Sequence, residues 1–154
     1  MSSQRVFSLF FLLAVATAGY AQTTKPAFTD EDLKKYAIAM DSVKGMQESL
    51  NQSVTEMVQK ATIMQVPRYN ELFKIISDST KLVAANAKPE EVAFVKEVAK
   101  KRTDETAKIT ATFQALAKDY VGLKAFNAIK KSLATDTALK EKYDALTKEL
   151  EAKG

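Results

Sequence analysis

Apolar side chains recur at alternating spacings of three and four along the first half of the chain. The positions are Leu33, Tyr36, Met40, Val43, Gln47, Leu50, Val54, Met57, Ala61 and Met64, and among them Gln47 alone is fully polar. A three/four repeat lines one stripe of a helix, whereas a period of two would scatter the same residues over both faces of a strand. No proline interrupts the pattern before Pro67. The spacing therefore predicts one helix over 29–65, on the order of 55 Å long at 1.5 Å per residue, with Gly45-Met46 as a candidate local irregularity. Its start is explicit. Thr29 is placed as N-cap, Asp30, Glu31 and Asp32 fall in the first turn, and Phe28 and Leu33 are positioned to form a hydrophobic staple.

Pro67 ends this helix and suits the first turn of the next, where Tyr69, Leu72, Phe73 and Ile76 share a face. Ser77-Asp78-Ser79-Thr80 breaks the chain, a short turn of helix follows through Leu82 and Val83, and Asn86-Ala87-Lys88-Pro89 breaks it again. Pro89-Glu90-Glu91 then opens a second long helix with the stripe Val92, Val95, Ala99, Arg102, Thr106, Ile109, Phe113, Leu116 and Tyr120, weakly apolar between Ala99 and Thr106. Gly122 is a natural stop. A short helix through Leu123, Phe126, Ile129 and Leu133 follows. Thr135-Asp136-Thr137 then caps a last one carrying Leu139, Tyr143, Leu146 and Leu150 on one face. No segment alternates as a half-buried strand. The predicted fold is all-α, with two long antiparallel amphipathic helices and three or four short helices packed on them. The repeat also suits a coiled-coil dimer, but two matched long helices in one chain satisfy it internally.

The amino-terminal pattern is different. Arg5 precedes an apolar run, Val6 to Ala16, interrupted only by Ser8, and the run ends in Gly19-Tyr20-Ala21-Gln22. Small residues at Gly19 and Ala21 fit a signal-peptidase site, with cleavage after Ala18 as the second choice. The run is well short of the roughly 20 apolar residues that cross a bilayer. Residues 1–21 thus read as a signal peptide, 22–27 as a flexible lead, and 28–152 as a single helical domain. The expected destination is periplasmic or extracellular, with no transmembrane segment in the mature chain. Without cysteine a lipid-anchored form is excluded.

Composition narrows the chemistry. The 154 residues include no Cys and no His, only 4 Gly and 3 Pro, and 23 basic against 19 acidic side chains. Disulfides, thiolate nucleophiles, imidazole bases and histidine metal ligands are all excluded, including the Glu-x-x-His pairs of di-metal bundles. Removal of 1–21 takes away Arg5 and no acid, leaving 22 basic and 19 acidic residues in mixed order. Carboxylate pairs such as Glu90/Glu91 and Asp104/Glu105 sit where solvated helix faces place them, without the split environments that acid–base catalysis needs. Lys100-Lys101-Arg102 and Lys130-Lys131 lack interleaved aromatics for nucleic-acid stacking. The chain therefore reads as a non-enzyme with no cofactor, no metal and no nucleic-acid partner, and the partner class expected is a protein or peptide of the cell envelope.

Two aromatic-Asn pairs, Tyr69-Asn70 and Phe126-Asn127, are candidate interaction positions. The competing reading makes the aromatics core and the amides local caps at helix starts. Tyr69 to Leu82 also echoes Phe126 to Leu139, as a duplication or as two similar amphipathic helices. Met40, Met46, Met57 and Met64 offer either core filling or an adaptable groove, with Met57 the tentative interaction position among them.

Phe28-Thr29-Asp30-Glu31-Asp32-Leu33-Lys34-Lys35-Tyr36-Ala37 resembles the opening of a bacterial exported family, domain of unknown function 4168. Arg68-Tyr69-Asn70-Glu71-Leu72 resembles a mid-chain signature of its Bacteroidetes-type members. Asp119-Tyr120-Val121-Gly122, Phe126-Asn127 and Leu139-Lys140-Glu141-Lys142-Tyr143 resemble its ending. Phe126 stands where Tyr is commoner, and Asp136-Thr137-Ala138-Leu139 where Asp-Pro-acid-Leu is frequent. The resemblance, over about 28–150, implies a small helical extracytoplasmic protein and carries over no activity. The expected role is an envelope or surface interaction or structural module, with a periplasmic holdase for unfolded or apolar segments as the alternative. Export predicts that amino-terminal sequencing of the envelope fraction reads from Gln22, or from Gly19 for the second cleavage choice. An intact Met1 on cytosolic protein would contradict it.

Overall fold

The computed structural model describes residues 27–152. The expected signal segment and residues 22–26 of the lead lie outside the described residues. The described chain is all-α: α1 (Asp30–Lys60), α2 (Val66–Ile75), α3 (Ser79–Ala84), α4 (Pro89–Ala115), a π-helical segment (Leu116–Gly122), α5 (Leu123–Leu133) and α6 (Thr137–Glu151). No helix among the described residues is long and apolar enough to cross a membrane.

The helix starts follow from their caps. Asp32 N–H donates to Thr29 Oγ1 at 3.1 Å, while Thr29 N–H donates back to Asp32 Oδ2 at 2.8 Å. This reciprocal capping box satisfies two orphan donors and holds the Asp32 carboxyl below its ordinary value. Asp78 and Asp136 cap α3 and α6 with a single side-chain bond each, accepting from Lys81 N–H and Leu139 N–H. Pro89 is in the first turn of α4. Gly122 takes φ 88°, a backbone region that a Cβ disfavours, and there the chain turns from the π segment into α5.

α1 and α4 run antiparallel, and most of their buried apolar side chains gather in two cores toward the ends, with Val43 and Ile109 buried further in. The first core gathers Leu33, Tyr36 and Ala39 of α1 with Ala117, Val121, Phe126 and Ile129, and α6 closes it with Leu139, Tyr143 and Leu146. Phe28 and Leu33 both belong here, as the staple requires. The Tyr36 ring lies 4.9 Å from Phe126 and 5.8 Å from Tyr143, distances at which aromatic pairs attract. The second core gathers Val54 and Val58 of α1, Met64, Tyr69 and Leu72, and Val95 and Val98 of α4. Between the cores no residue of 44–53 in α1 or of 99–108 in α4 is buried.

Three expectations need correction. The first helix stops at Lys60, not at residue 65, with Ala61 in extended backbone. Residues 61–65 reverse the chain so that α2 can cover the second core, and Met64 is tucked into that core within the reversal. Gly45 and Met46 mark no irregularity, since α1 runs through them unbroken. The stripe of the second long helix holds at Val95 and Ile109 but slips at other positions. Val98 is buried where Ala99 was expected, and Ala117 and Val121 where Leu116 and Tyr120 were. Toward the C-terminal end, the π segment widens the turn by a residue and shifts the inward face.

The echo between Tyr69–Leu82 and Phe126–Leu139 has an architectural counterpart. A long helix followed by two short ones occurs twice, as α1-α2-α3 and α4-α5-α6, and the paired residues Tyr69/Phe126 and Leu72/Ile129 are buried in opposite cores. Leu72 is fully buried, whereas Leu50, at the edge of the second core, is only partly so. Leu72→Ala is expected to cost about 2–5 kcal/mol in urea unfolding, since transfer and cavity terms add. Leu50→Ala should cost roughly 1 kcal/mol. Equal losses would contradict this placement of the cores.

Candidate functional site

The gap between the cores is a cleft of about 510 Å³. Gly45, Met46, Ser49, Leu50 and Ser53 of α1 form one wall, and Lys101, Glu105 and Ile109 of α4 the other. The cleft exists because small and polar residues replace large apolar ones at the middle of both helices. A Cβ built on Gly45 meets nothing within 4 Å, so the space there is open. Met46, Leu50 and Ile109 supply an apolar surface, and Ser49, Ser53, Lys101 and Glu105 supply polar groups. Glu105 accepts from Lys108 Nζ at 2.7 Å, and this bond pushes the Lys108 ammonium above its ordinary value. A neighbouring hollow of about 250 Å³ shares Ile109 and is lined by Met40, Val43, Gln47, Thr110 and Phe113.

The structure separates the expected interaction positions. Tyr69 and Asn70 line a small cavity of about 140 Å³ with Thr55, Gln59, Val66 and Arg102, among others. The Tyr69 ring is buried against Phe73 and Phe94, and its hydroxyl has no hydrogen-bond partner. Arg102 lies 5.8 Å over the Phe73 ring, a cation–π contact. Phe126 belongs to the first core and Asn127 is exposed beside it, so the two aromatic-Asn pairs form no common site. Both aromatics are core, as one of the two readings held. The amides are not caps, because α2 starts at Val66 and α5 at Leu123, each several residues earlier. Met57 packs half-buried on the second core.

Glu91, expected with Glu90 on a solvated helix face, is instead buried, and it belongs to the most connected polar group. It is the buried charged residue among those described. Arg68 reaches it with two bonds, Nε to Oε1 at 3.2 Å and a terminal nitrogen to Oε2 at 3.1 Å. The same guanidinium donates to Glu71 at 2.9 Å and to the Ala85 carbonyl at 3.0 Å. Lys88 N–H donates to Glu91 Oε2 at 2.9 Å, closing the start of α4. One side chain thus ties α2 to the α3–α4 turn and to α4. Arg68 and Glu71 fall within the Arg68–Leu72 motif, so part of that motif has a structural reason. The usable signal was a lone arginine in the first turn of a helix, where a cation opposes the helix dipole and needs another partner.

Compared with protein-family models, with curated proteins and with solved structures, the chain matches none.

The Arg68 bonds, and secondly the Lys88 N–H, hold the Glu91 carboxyl below its ordinary value of 4.5. A group whose folded value is depressed contributes stability above its unfolded value, and that contribution is lost as pH falls through the folded value. Glu91→Gln should therefore lower the Tm at neutral pH by on the order of 5 °C. The gap to the parent should narrow below about pH 4.5 as the parent carboxyl itself takes up a proton. A gap that stays constant down to about pH 2 would contradict the clamp.

Proposed function

We propose that this chain is a small exported, non-enzymatic interaction module of the cell envelope or surface, and that the waist cleft is its working surface. The single observation that carries the reading is the cleft itself. An apolar surface with a polar rim lies between two separately packed cores, at the middle of both long helices. Binding sites favour such concave, mostly apolar surfaces with a few placed polar groups. Each flanking core is held by its own short helices, so the walls are set before anything binds.

A non-enzymatic role is supported by how the charges are used. Glu91 is spent on the Arg68 clamp and held low, unlike an acid or base poised near neutrality. Export is supported by the pattern of residues 1–21, and membership of the domain of unknown function 4168 family by the motifs around Thr29, Arg68 and Phe126. The alternative, a holdase for unfolded or apolar segments, is favoured by one observation: Met40 and Met46 line two hollows that meet at Ile109. Flexible methionine surfaces adapt to varied apolar partners.

Photo-crosslinking in intact cells tests the reading. A photoreactive residue at Ser49, in the cleft, should give discrete adducts, and the same residue at exposed Lys96 should give none. Equal labelling from both positions, or none from Ser49, would contradict a cleft-centred interaction. A ladder of many adducts that grows on heat stress would favour the holdase.

A further inference from the structure

We propose that the waist cleft binds a small amphiphile with one anionic head, an aliphatic carboxylate. Lys101, Ser49 and Ser53 take the head, and Met46, Leu50 and Ile109 take the chain. The inference rests on the cleft being the working surface and names the chemistry that surface selects.

Charge in the cleft wall points to an anion. The basic and acidic side chains at the middle of α4 are mostly satisfied locally. Lys100 pairs with Asp104, Glu105 pairs with Lys108, and Arg102 lies over Phe73. Lys101 forms no ion pair among the described residues, although acids stand within one turn of it. It is half-buried and forms part of the cleft wall. A half-buried ammonium that makes no ion-pair contact has room to take an anion. Glu105 shares that wall, but its carboxylate already accepts from Lys108 at 2.7 Å.

The donor set opposite points the same way. Ser49 and Ser53 lie one turn apart on α1 and face the cleft from the other wall. A carboxylate carries two oxygens with four lone-pair directions, which suit an ammonium and two hydroxyls together. Apart from Glu105, whose carboxylate is held by Lys108, the rest of the lining is Gly45, Met46, Leu50 and Ile109, so one end of a ligand is matched by charge and the other by apolar surface. A metal ion or an organic cation would meet Lys101 and be repelled. The volume, about 510 Å³, falls in the range of small-molecule sites.

The test uses the mature chain with decanoate below its micelle concentration, followed by calorimetry and by the shift of a carbon-13 carboxyl label. Decanoate should bind with a shifted carboxyl signal. Decanol and decyltrimethylammonium should bind at least tenfold more weakly. Lys101→Met should weaken decanoate about tenfold, the loss of a charge-assisted contact, without changing decanol. Gly45→Leu should fill the open space and abolish binding. Replacing a glycine within a helix favours folding, so helicity and Tm should hold. Ser49→Leu is the second filling variant. No decanoate binding, or binding that ignores both Lys101→Met and Gly45→Leu, overturns the ligand class. If the chain then still captures an unfolded polypeptide in a Gly45-dependent way, the working surface stands and only its ligand was wrong. If capture also ignores Gly45→Leu, both readings fall.

Discussion

The pairing of α1 with α4 governs this molecule, because everything else is attached to it. Two helices of about 46 and 40 Å lie antiparallel, yet large apolar side chains gather into cores only toward their ends. Each end becomes a core once short helices cover it: α2 and α3 at one end, α5 and α6 with the π segment at the other. Residues 44–53 and 99–108 bury no side chain, so the chain keeps a cleft, with the buried Ile109 in its wall, where a continuous bundle would have a seam. Hydrophobic burial scales with apolar area removed from water, and the side chains at 44–53 and 99–108 have little to contribute.

Electrostatics refines this frame without creating it. Most ion pairs among the described residues are exposed and join neighbouring turns of one helix, such as Lys60 with Glu56, and such pairs contribute little. Lys44 with Glu151 and Lys142 with Asp30 tie α6 to α1 at the surface. Arg68 with Glu91 differs in kind. The carboxylate is buried and accepts from Arg68 of α2 and from the Lys88 N–H before α4, so the clamp fixes where α2 and α4 meet.

Much of the fold was legible in the residues, for identifiable reasons. Thr29, Asp78, Pro89, Asp136 and Gly122 state their local geometry outright, because each satisfies a terminus or a backbone angle by itself. Position 61 carries no such signal. Ala61 is a good helix former, and α1 stops there to let α2 fold back and Met64 enter the second core. The register slip near Leu116 was hidden because a π turn has no residue signature of its own. The cleft was half-visible. Gln47 on the stripe and the weak stretch Ala99–Thr106 both appeared in the pattern, but only the antiparallel register sets Gln47 beside Ile109 and Thr110 and the serines of α1 across from Lys101 and Glu105. Tyr69-Asn70 and Phe126-Asn127 stood out by composition, and the aromatic of each pair is explained by its core. The Arg68–Glu91 pair spans separate helices and could not be matched from spacing alone.

Two cores joined by an uncovered waist should open independently of each other along α1. Native-state hydrogen exchange along α1 tests it most directly, since each amide reports the free energy of its own opening. The account predicts two strongly protected blocks, around Leu33–Val43 and around Val54–Val58, separated by faster exchange over residues 45–53. Uniform protection along α1, at the level of the two ends, would mean that the middle is packed like them, and would contradict the account.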